Sequence, residues 1–444
     1  MRLPIDVLQY VEALEGASFA TYAVGGCVRD HLLGLEPHDF DLCTAATPDE
    51  IQAVFSDRQL VLAGLKHGTV GVVTAGGVVE ITTFRSEGGY TDCRHPGWVR
   101  FVPTIEEDLA RRDFTINAMA WSPTRGLRDP FGGAADLNKK ILRAVGDPMD
   151  RFREDALRIL RGTRFAAKFR LTVEENTEKA MFAQVHLLEG LARERVFDEL
   201  CKLLLLADAR DLIHWAPILT QAIPELKAAV GFEQHSPYHA YDLYTHIAHV
   251  TAATAPDLAL RWAALLHDVG KPGTFSLDEN GRGHFFGHAI VGADIADAIL
   301  CRLKAPTALR VQVVKLVAWH MNRLEPDRKL LRRWLSRLGS DTLLRLLALQ
   351  EADMGSKGTK NSISCNDFDP IYQLLAEIQE ENACLTLKDL AVSGSDLIAL
   401  GFAPSKRLGQ CLQELLEQVL DERLPNDRAA LLAAAEAYLQ EEEL

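Results

Sequence analysis

Near the start of the chain, two glycines and two carboxylates have the types and spacing of a phosphate-handling metal site. Tyr22-Ala-Val-Gly-Gly-Cys-Val-Arg-Asp30 is followed closely by Asp39-Phe-Asp41. An apolar run reaches Gly25 and Gly26, a helical pattern opens near Cys27, and a second short strand is expected to carry Asp39 and Asp41. Side chains at i and i+2 of a strand share a face, which would set the two carboxylates a few ångströms apart. Such a pair can bind Mg²⁺ and leave coordination positions for phosphate oxygens and water. The glycines permit close backbone approach, the helix start aims N–H groups at an anion, and Arg29 adds a forked guanidinium. A GG turn alone is weak evidence, and a DxD alone is usually a solvated loop; the two in this order are far more specific. Glu80, in the strand-like Val79–Arg85, reads equally well as a third metal carboxylate or as a strand-end surface charge.

A second stretch is suited to reading a base. In Arg151-Phe-Arg-Glu-Asp-Ala-Leu-Arg-Ile-Leu-Arg-Gly-Thr-Arg-Phe165 a continuous helix would put Asp155 and Arg158 on one face, with Arg161 and Arg164 continuing it. A carboxylate accepts from an exocyclic amine, and a guanidinium donates to the adjacent ring nitrogen. Cytosine and adenine offer amine beside acceptor; uracil and guanine offer carbonyl beside N–H. One Asp/Arg pair would admit the first two and refuse the others. The competing reading is an i, i+3 salt bridge worth at most ~0.5 kcal/mol.

A third group is rich in imidazole. His246, His267-Asp268, His288, His320 and Asp353 recur along consecutive apolar helical patterns. Residues so placed can converge on one or two divalent metals, with an aspartate bridging.

These residues need elements to hold them. Residues 1–20 read as an amphipathic helix with Val7, Leu8, Val11 and Leu14 on one side. From 22 to about 145 short β-rich runs alternate with helical patterns, a small α/β palm; after about 150 helical periodicity takes over. Joints are expected near 146–148, Pro224 and 355–364. Ser86 to Val99 suits neither helix nor strand and is expected to be a mobile loop over the site. Arg328–Arg337 forms a basic amphipathic helix whose arginines would be solvated or track an RNA backbone.

The length suggests two to four domains. Eight scattered cysteines without a CxxC pair suggest neither zinc ribbon nor disulfide framework. No apolar stretch suits a membrane span, so a cytoplasmic protein is expected. The net charge of −14 sits awkwardly with a nucleic-acid partner. By segment, Lys+Arg against Asp+Glu is 14 against 21 over 1–150, 12 against 12 over 151–225, 17 against 13 over 226–360 and 5 against 16 over 361–444. The acidity lies at the ends, and the middle can still present positive surface to phosphates.

The order of GGCVRD, DFD, RRDFTINAMA (111–120) and EDALR (154–158) resembles the nucleotidyltransferase superfamily, within it the class II CCA-adding enzymes and bacterial poly(A) polymerases. The resemblance implies an α+β fold: a polymerase-beta-like head over 1–145, then an all-α neck (146–225), an HD-type body (226–360) and a tail (361–444). It implies Mg²⁺ at the catalytic Asp39 and Asp41. Nucleotide contacts would come from Gly26, Arg29, Arg112, Asp155, Arg158, Arg161 and Arg164, with Arg111 nearby and Asp113 and Asn117 near the ribose or backbone. The RxxxE stretch in 193–206 would buttress the neck. Ser393–Gly401 with Asn426 loosely resembles the family's C-terminal region. The histidine segment resembles HD phosphohydrolases, which implies a divalent transition metal held by His246, His267, Asp268 and Asp353, with His288 and His320 serving a second. The implied reaction adds C, C and A to tRNA from CTP and ATP. Addition of A alone, poly(A) synthesis, HD phosphohydrolysis with an RNA-binding head, and a non-enzymatic tRNA chaperone are the alternatives. Gly64-Leu-Lys-His-Gly-Thr69 resembles the CCA branch more than the poly(A) branch.

Overall fold

A computed structural model describes residues 1–37, 39–74, 77–89, 97–358, 368–381 and 383–440. The chain divides into two compact units, Met1–Lys227 with Arg302–Ala305, and Ala228–Cys301 with Pro306–Leu444.

In the first unit α1 (Ile5–Gly16) buries Val7, Tyr10, Val11 and Leu14, the i, i+3, i+4, i+7 stripe of a one-faced helix. A seven-stranded sheet follows, with strands β1 (Thr21–Val24), β2 (Asp41–Thr44), β3 (Leu60–Val61), β4 (Thr69–Thr74), β5 (Gly77–Thr83), β8 (Ala120–Ser122) and β9 (Gly126–Arg128) in the order β3-β4-β5-β2-β1-β8-β9. Only β2 and β5 run parallel, with Leu42 opposite Ile81; one step earlier the same register brings Asp41 beside Glu80. Behind β1 and β2, Tyr22, Val24, Cys43, Phe84, Ile105 and Leu109 form an apolar core that backs the site. Helices α2 (Gly26–Leu32), α3 (Pro48–Val54), α4 (Ile105–Ala110) and α5 (Gly133–Asn138) flank the strands.

The loop expected over 86–99 is corrected at its ends. Arg85–Gly88 (β6) and Trp98–Phe101 (β7) pair antiparallel as a separate two-stranded ribbon; residues 90–96 lie outside the described residues. Trp98 packs onto Gly88 and Gly89, within 2.7 Å of where a Gly88 Cβ would stand, so the glycines that looked loop-like receive an indole.

The rest of this unit is helical: α6 (Pro148–Glu154), α7 (Leu157–Phe169), α8 (Glu175–Ala183), α9 (Arg193–Leu204), α10 (Ala209–His214) and α11 (Ala216–Ala222), with the strand pair β10 (Ile141–Leu142) and β11 (Thr172–Val173). The continuous helix expected through Asp155 is broken. Asp155 has φ −141° and ψ 102°, ends α6, and accepts Leu157 N–H at 3.0 Å, so α7 starts afresh.

The second unit holds α12 (Leu243–Ala253), α13 (Leu258–Leu266), α14 (Lys271–Thr274), strands β12 (Ser276–Leu277) and β13 (Gly283–His284), α15 (His288–Arg302), α16 (Thr307–Trp319), α17 (Arg328–Leu338), α18 (Ser340–Gly355), α19 (Asp369–Glu380), α20 (Gly394–Ala399), α21 (Lys406–Leu420) and α22 (Arg428–Gln440). Every residue of α13 from Ala259 to Leu266 is buried, so its C-terminal end carries His267 and Asp268 into the interior. Gly270 lets α15 close on that end: a Cβ there would lie 2.3 Å from the His288 carbonyl oxygen.

The arginines of the basic helix α17 are ion-paired at a partly solvated face. Leu331, Trp334 and Leu335 face inward, while Arg328 pairs with Glu381, Arg332 with Glu422 at 3.2 Å and Arg333 with Asp421 at 2.6 Å. Part of the tail's acidity thus neutralises α17. The Ser393 and Asn426 motifs are local pins: Ser393 and Asp396 form a capping box, and Asn426 bonds Ala391 N–H and the Asp389 carbonyl, both at 2.8 Å.

Candidate active site and candidate metal centre

β1 delivers the chain to Gly25, whose φ of +72° is a conformation L side chains rarely adopt. A Cβ there would also lie 2.9 Å from Arg112 Nη1, so the glycine makes room for a guanidinium. Arg29, on the first turns of α2, is buried. Its Nε and Nη2 reach Asp30 Oδ1 at 2.8 and 2.7 Å, its Nη1 donates to Asn117 Oδ1 at 2.6 Å, and its guanidinium lies over Phe169 at 4.5 Å. The fork expected for phosphate is therefore spent largely on Asp30 and Asn117. Arg29 meets the cavity as a braced positive charge.

Asp41 opens β2, but Asp39 lies two residues ahead of it, outside the strand, so the pair is not the strand-face doublet expected. Solvent reaches Asp41, yet partial desolvation at the cavity wall raises its pKa; Arg112 opposes this, and Glu80 and Asp39 push the same way. Asp39 and Glu80 both act on Asp41, and carboxylate oxygens of this kind are the hard donors that fit Mg²⁺.

Around them stands an arginine cradle held from behind. Asp108, wholly buried on α4, accepts from Arg111 at 2.8 Å and Arg112 at 3.1 Å. Burial alone would raise the Asp108 carboxyl; Arg111 and Arg112 hold it below the ordinary range. Arg112 also donates to Cys43 Sγ at 3.4 Å, and burial beside Asp108 lifts that thiol to about 12. Arg111 reaches Glu87 of β6 at 3.3 Å, which ties the β6–β7 ribbon to the cradle. Asp113 is bonded by Arg161 at 2.7 and 2.9 Å and by Asn117 at 3.0 Å. Despite burial, these partners bring its pKa to about 2.

Asp155 and Arg158 are not a mutual salt bridge. Arg158 Nη1 donates to Glu154 at 2.7 Å and to the Arg151 carbonyl at 3.1 Å, and its Nη2 to the Arg111 carbonyl at 2.9 Å. Asp155 meets Arg195 of α9 at 2.9 Å instead. Both still line one cavity of about 400 Å³ with Gly25, Gly26, Arg29, Asp41, Arg111, Arg112, Asp113, Asn117, Arg161, Phe165 and Arg195. Six arginines face three aspartates there, a positive surplus suited to a triphosphate. Arg164 departs from expectation: it is not in the lining, donates to buried Glu199 at 2.6 Å and stacks over Phe165 at 4.3 Å. Arg195 and Asp108 were not foreseen. Arg195 is the arginine of the RxxxE stretch, and only a contact across 40 residues reveals its partner.

In the second unit the imidazoles do converge. Asp268 Oδ2 lies 3.1 Å from His267 Nε2 and 3.6 Å from His246 Nε2; Asp268 Oδ1 lies 3.3 Å from His288 Nε2 and 3.7 Å from His320 Nε2. Asp353 joins at 3.1 Å from His246 Nε2. His267, His288 and His320 each direct Nδ1 to a carbonyl oxygen of their own helix region, at 2.8, 2.7 and 2.7 Å, which leaves Nε2 turned inward. The inward Nε2 atoms of His246 and His267 face the carboxylates of Asp353 and Asp268, and Asp268 Oδ2 faces both His267 and Lys271. His246, His267 and Asp268 form one metal-sized triad, and Asp268, His288 and His320 another. Lys271, unforeseen, contacts Asp268 at 2.7 Å; although burial opposes it, the surrounding cations hold Asp268 well below the usual carboxylate range.

Residues 21–143 match the Poly A polymerase head domain family, residues 170–229 the Probable RNA and SrmB- binding site of polymerase A, and residues 289–435 the tRNA nucleotidyltransferase domain 2 family. The chain is 36% identical over 427 residues to the CCA-adding enzyme of Levilactobacillus brevis, covering 96% of this chain and 95% of that one. It is 32% identical over 434 residues to the CCA-adding enzyme of Streptococcus thermophilus, covering 98% and 96%. The structure of the Bacillus stearothermophilus CCA-adding enzyme in complex with CTP superposes with a TM-score of 0.71 at 26% identity, covering 100% of this chain and 99% of that one. The Thermotoga maritima CCA-adding enzyme complexed with tRNA shares the fold, with a TM-score of 0.61 at 21% identity over 99% and 97%. With a polymerase-type head, an arginine-lined cavity beside clustered carboxylates, and this likeness along nearly its whole length, the chain belongs to the CCA-adding enzyme family of nucleotidyltransferases.

Proposed function

We propose that this chain adds C, C and A in turn to the 3′ end of tRNA, using CTP and ATP, in the cytoplasm. The observation that carries this reading is one cavity that joins Asp41 to the separately anchored Asp155 and Arg158. The tRNA 3′-hydroxyl attacks the α-phosphate; a P–O ester bond forms, the bond to the pyrophosphate leaving group breaks, and the hydroxyl proton passes to solvent. Asp39 and Asp41, with Glu80 beside them, would hold Mg²⁺, which activates the hydroxyl and offsets charge on the leaving group. Arg111, Arg112 and the braced Arg29 draw the triphosphate in, and Asp155 with Arg158 selects the base. Residues 1–145 would form the head, 146–225 the neck, 226–360 the HD-type body and 361–444 the tail.

The test uses purified protein with tRNA transcripts ending at the discriminator base, at C and at CC, each given CTP, ATP or both. Growth that stops at CCA is expected. A added only to the CC-ending transcript, long A tails, or no extension would each overturn the reading.

A second site is favoured by the convergence of His246, His267, His288 and His320 on Asp268, which makes two metal-sized triads. We infer that His246, His267, Asp268 and Asp353 would hold one divalent transition metal and His288 and His320 would serve a second, which would supply Lewis-acid activation for phosphohydrolysis. Metal analysis after Mn²⁺ loading in an Asp41→Ala background, which removes the head site, should give two ions per chain with the histidines intact and one with His288→Ala added. Equal content in both would contradict the assignment.

A further inference from the structure

Arg195 makes contacts that a helix-docking role does not explain. Its helix α9 is already fastened by buried Val196, Leu200, Leu203 and Leu204 and by the Arg164–Glu199 pair at 2.6 Å. Arg195 instead turns to the nucleotide cavity and spans both oxygens of Asp155, Nη2 to Oδ2 at 2.9 Å and Nη1 to Oδ1 at 3.5 Å. Asp155 stands at the break between α6 and α7, where no helical neighbour restrains it, and its other constraint is the Leu157 N–H at 3.0 Å on Oδ1.

The torsion that turns a carboxylate about its Cβ–Cγ bond is broad and weakly staggered, so an unbraced Asp155 could present its oxygens in many directions. A carboxylate has about four acceptor sites. Leu157 N–H and the Arg195 fork occupy part of that capacity and leave the remainder pointing one way, as acceptor only. That is the feature the base filter needs. An exocyclic amine on cytosine or adenine donates to it, whereas the carbonyl of uracil or guanine would set lone pair against lone pair in a partly desolvated cavity.

We propose that Arg195 is a specificity-determining positioning residue that fixes the Asp155 carboxylate in the single orientation that discriminates amine-bearing from carbonyl-bearing bases. The inference rests on the nucleotide-addition reading of the cavity. Arg158 needs no such helper, because Glu154 and two backbone carbonyls already hold it. Arg195 does for Asp155 what those three acceptors do for Arg158.

The experiment measures kcat and KM for CTP and UTP on a tRNA transcript ending at the discriminator base, with the full-length wild type, Arg195→Ala, Arg195→Lys, Asp155→Ala and the Asp155→Ala/Arg195→Ala double variant. Arg195→Ala should lower the CTP/UTP ratio of kcat/KM at least about tenfold, chiefly through a raised KM for CTP, while its thermal midpoint stays near wild type. About tenfold is the low end of what one hydrogen bond to a charged group contributes. Arg195→Lys should recover part of the ratio, since an ammonium cannot span both oxygens. The double variant should discriminate no worse than Asp155→Ala alone. Equal slowing with CTP and UTP, leaving the ratio intact, would overturn the inference, and should Arg195→Ala fail to fold, the ratio in Arg195→Lys decides. A wild type that adds neither nucleotide would defeat the underlying reading and the inference with it; a wild type that adds CTP while the variants keep its ratio defeats the inference alone.

Discussion

In the cavity of the first unit nearly every charged side chain has a partner of its own, whereas in the second unit four histidines and a lysine crowd one aspartate. Arg29 has Asp30 and Asn117, Arg112 has Asp108, Arg161 has Asp113, Arg158 has Glu154 and Asp155 has Arg195. Asp268 alone receives His246, His267, His288, His320 and Lys271. The first arrangement braces its side chains before any ligand arrives, which suits a site that must choose among bases before chemistry. The second gathers inward imidazole nitrogens around one carboxylate, a donor set that would suit a divalent cation.

The comparison can be broken most forcefully at Asp41. Asp41→Ala should lower nucleotide addition by about a thousandfold or more, since metal-held charge stabilisation is lost, and should leave Mn²⁺ bound at the histidine cluster unchanged. Extension assays and metal analysis on the same preparation check both halves. Next in size is Asp108→Asn. It strips the shared carboxylate from two arginines and should cost about 3 kcal/mol of stability, as for a broken buried pair, with kcat down about a hundredfold. Chemical denaturation and single-turnover rates read these effects, and an unaffected kcat would show that the cradle does not depend on its rear partner.

A smaller effect follows from Asp113. Its folded pKa is about 2 against an ordinary 3.8, because Arg161 and Asn117 outweigh burial. A depressed carboxylate stabilises above its unfolded value and loses that contribution as pH falls through the folded value. About 2 kcal/mol should therefore be present above pH ~4 and be gone below pH ~2. Stability curves of wild type and Asp113→Asn should converge across that interval. Smallest is Arg333→Ala on α17. Its half-exposed pair with Asp421 should contribute no more than about 0.5 kcal/mol, less at high salt. A larger loss by thermal melting would mean that the tail depends on that ion network.

What could be read from the sequence follows the same division. Gly25 was legible because backbone geometry demands it, and His267-Asp268 because a buried helix, apolar but for Arg261, delivers the pair inward. The α/β head with helices after it was legible from periodicity. The ends of the 86–99 segment were not, since Glu87, Gly88 and Trp98 become strands only by pairing with each other, and strand preference depends on such partners. The break at Asp155 escaped because Glu154-Asp-Ala-Leu holds no Gly or Pro, and its one signal, an aspartate able to cap a new helix, was read only as a base contact. Arg164 was misplaced and Arg195 overlooked for one reason: their partners, Glu199 and Asp155, lie 35 and 40 residues away. Local spacing shows which side chains share a face, not which of them a distant helix has already claimed.

The central claim is that Asp155 and Arg158 choose the base inside the cavity that holds Asp41. Its most direct test is competition of all four nucleoside triphosphates for a tRNA transcript ending at the discriminator base, read by sequencing the products of wild type and Asp155→Ala. Wild type should yield CCA ends with uridine and guanosine at or below about one in a thousand, and Asp155→Ala should still extend while admitting them freely. An Asp155→Ala product pool that stays pure CCA would contradict the account.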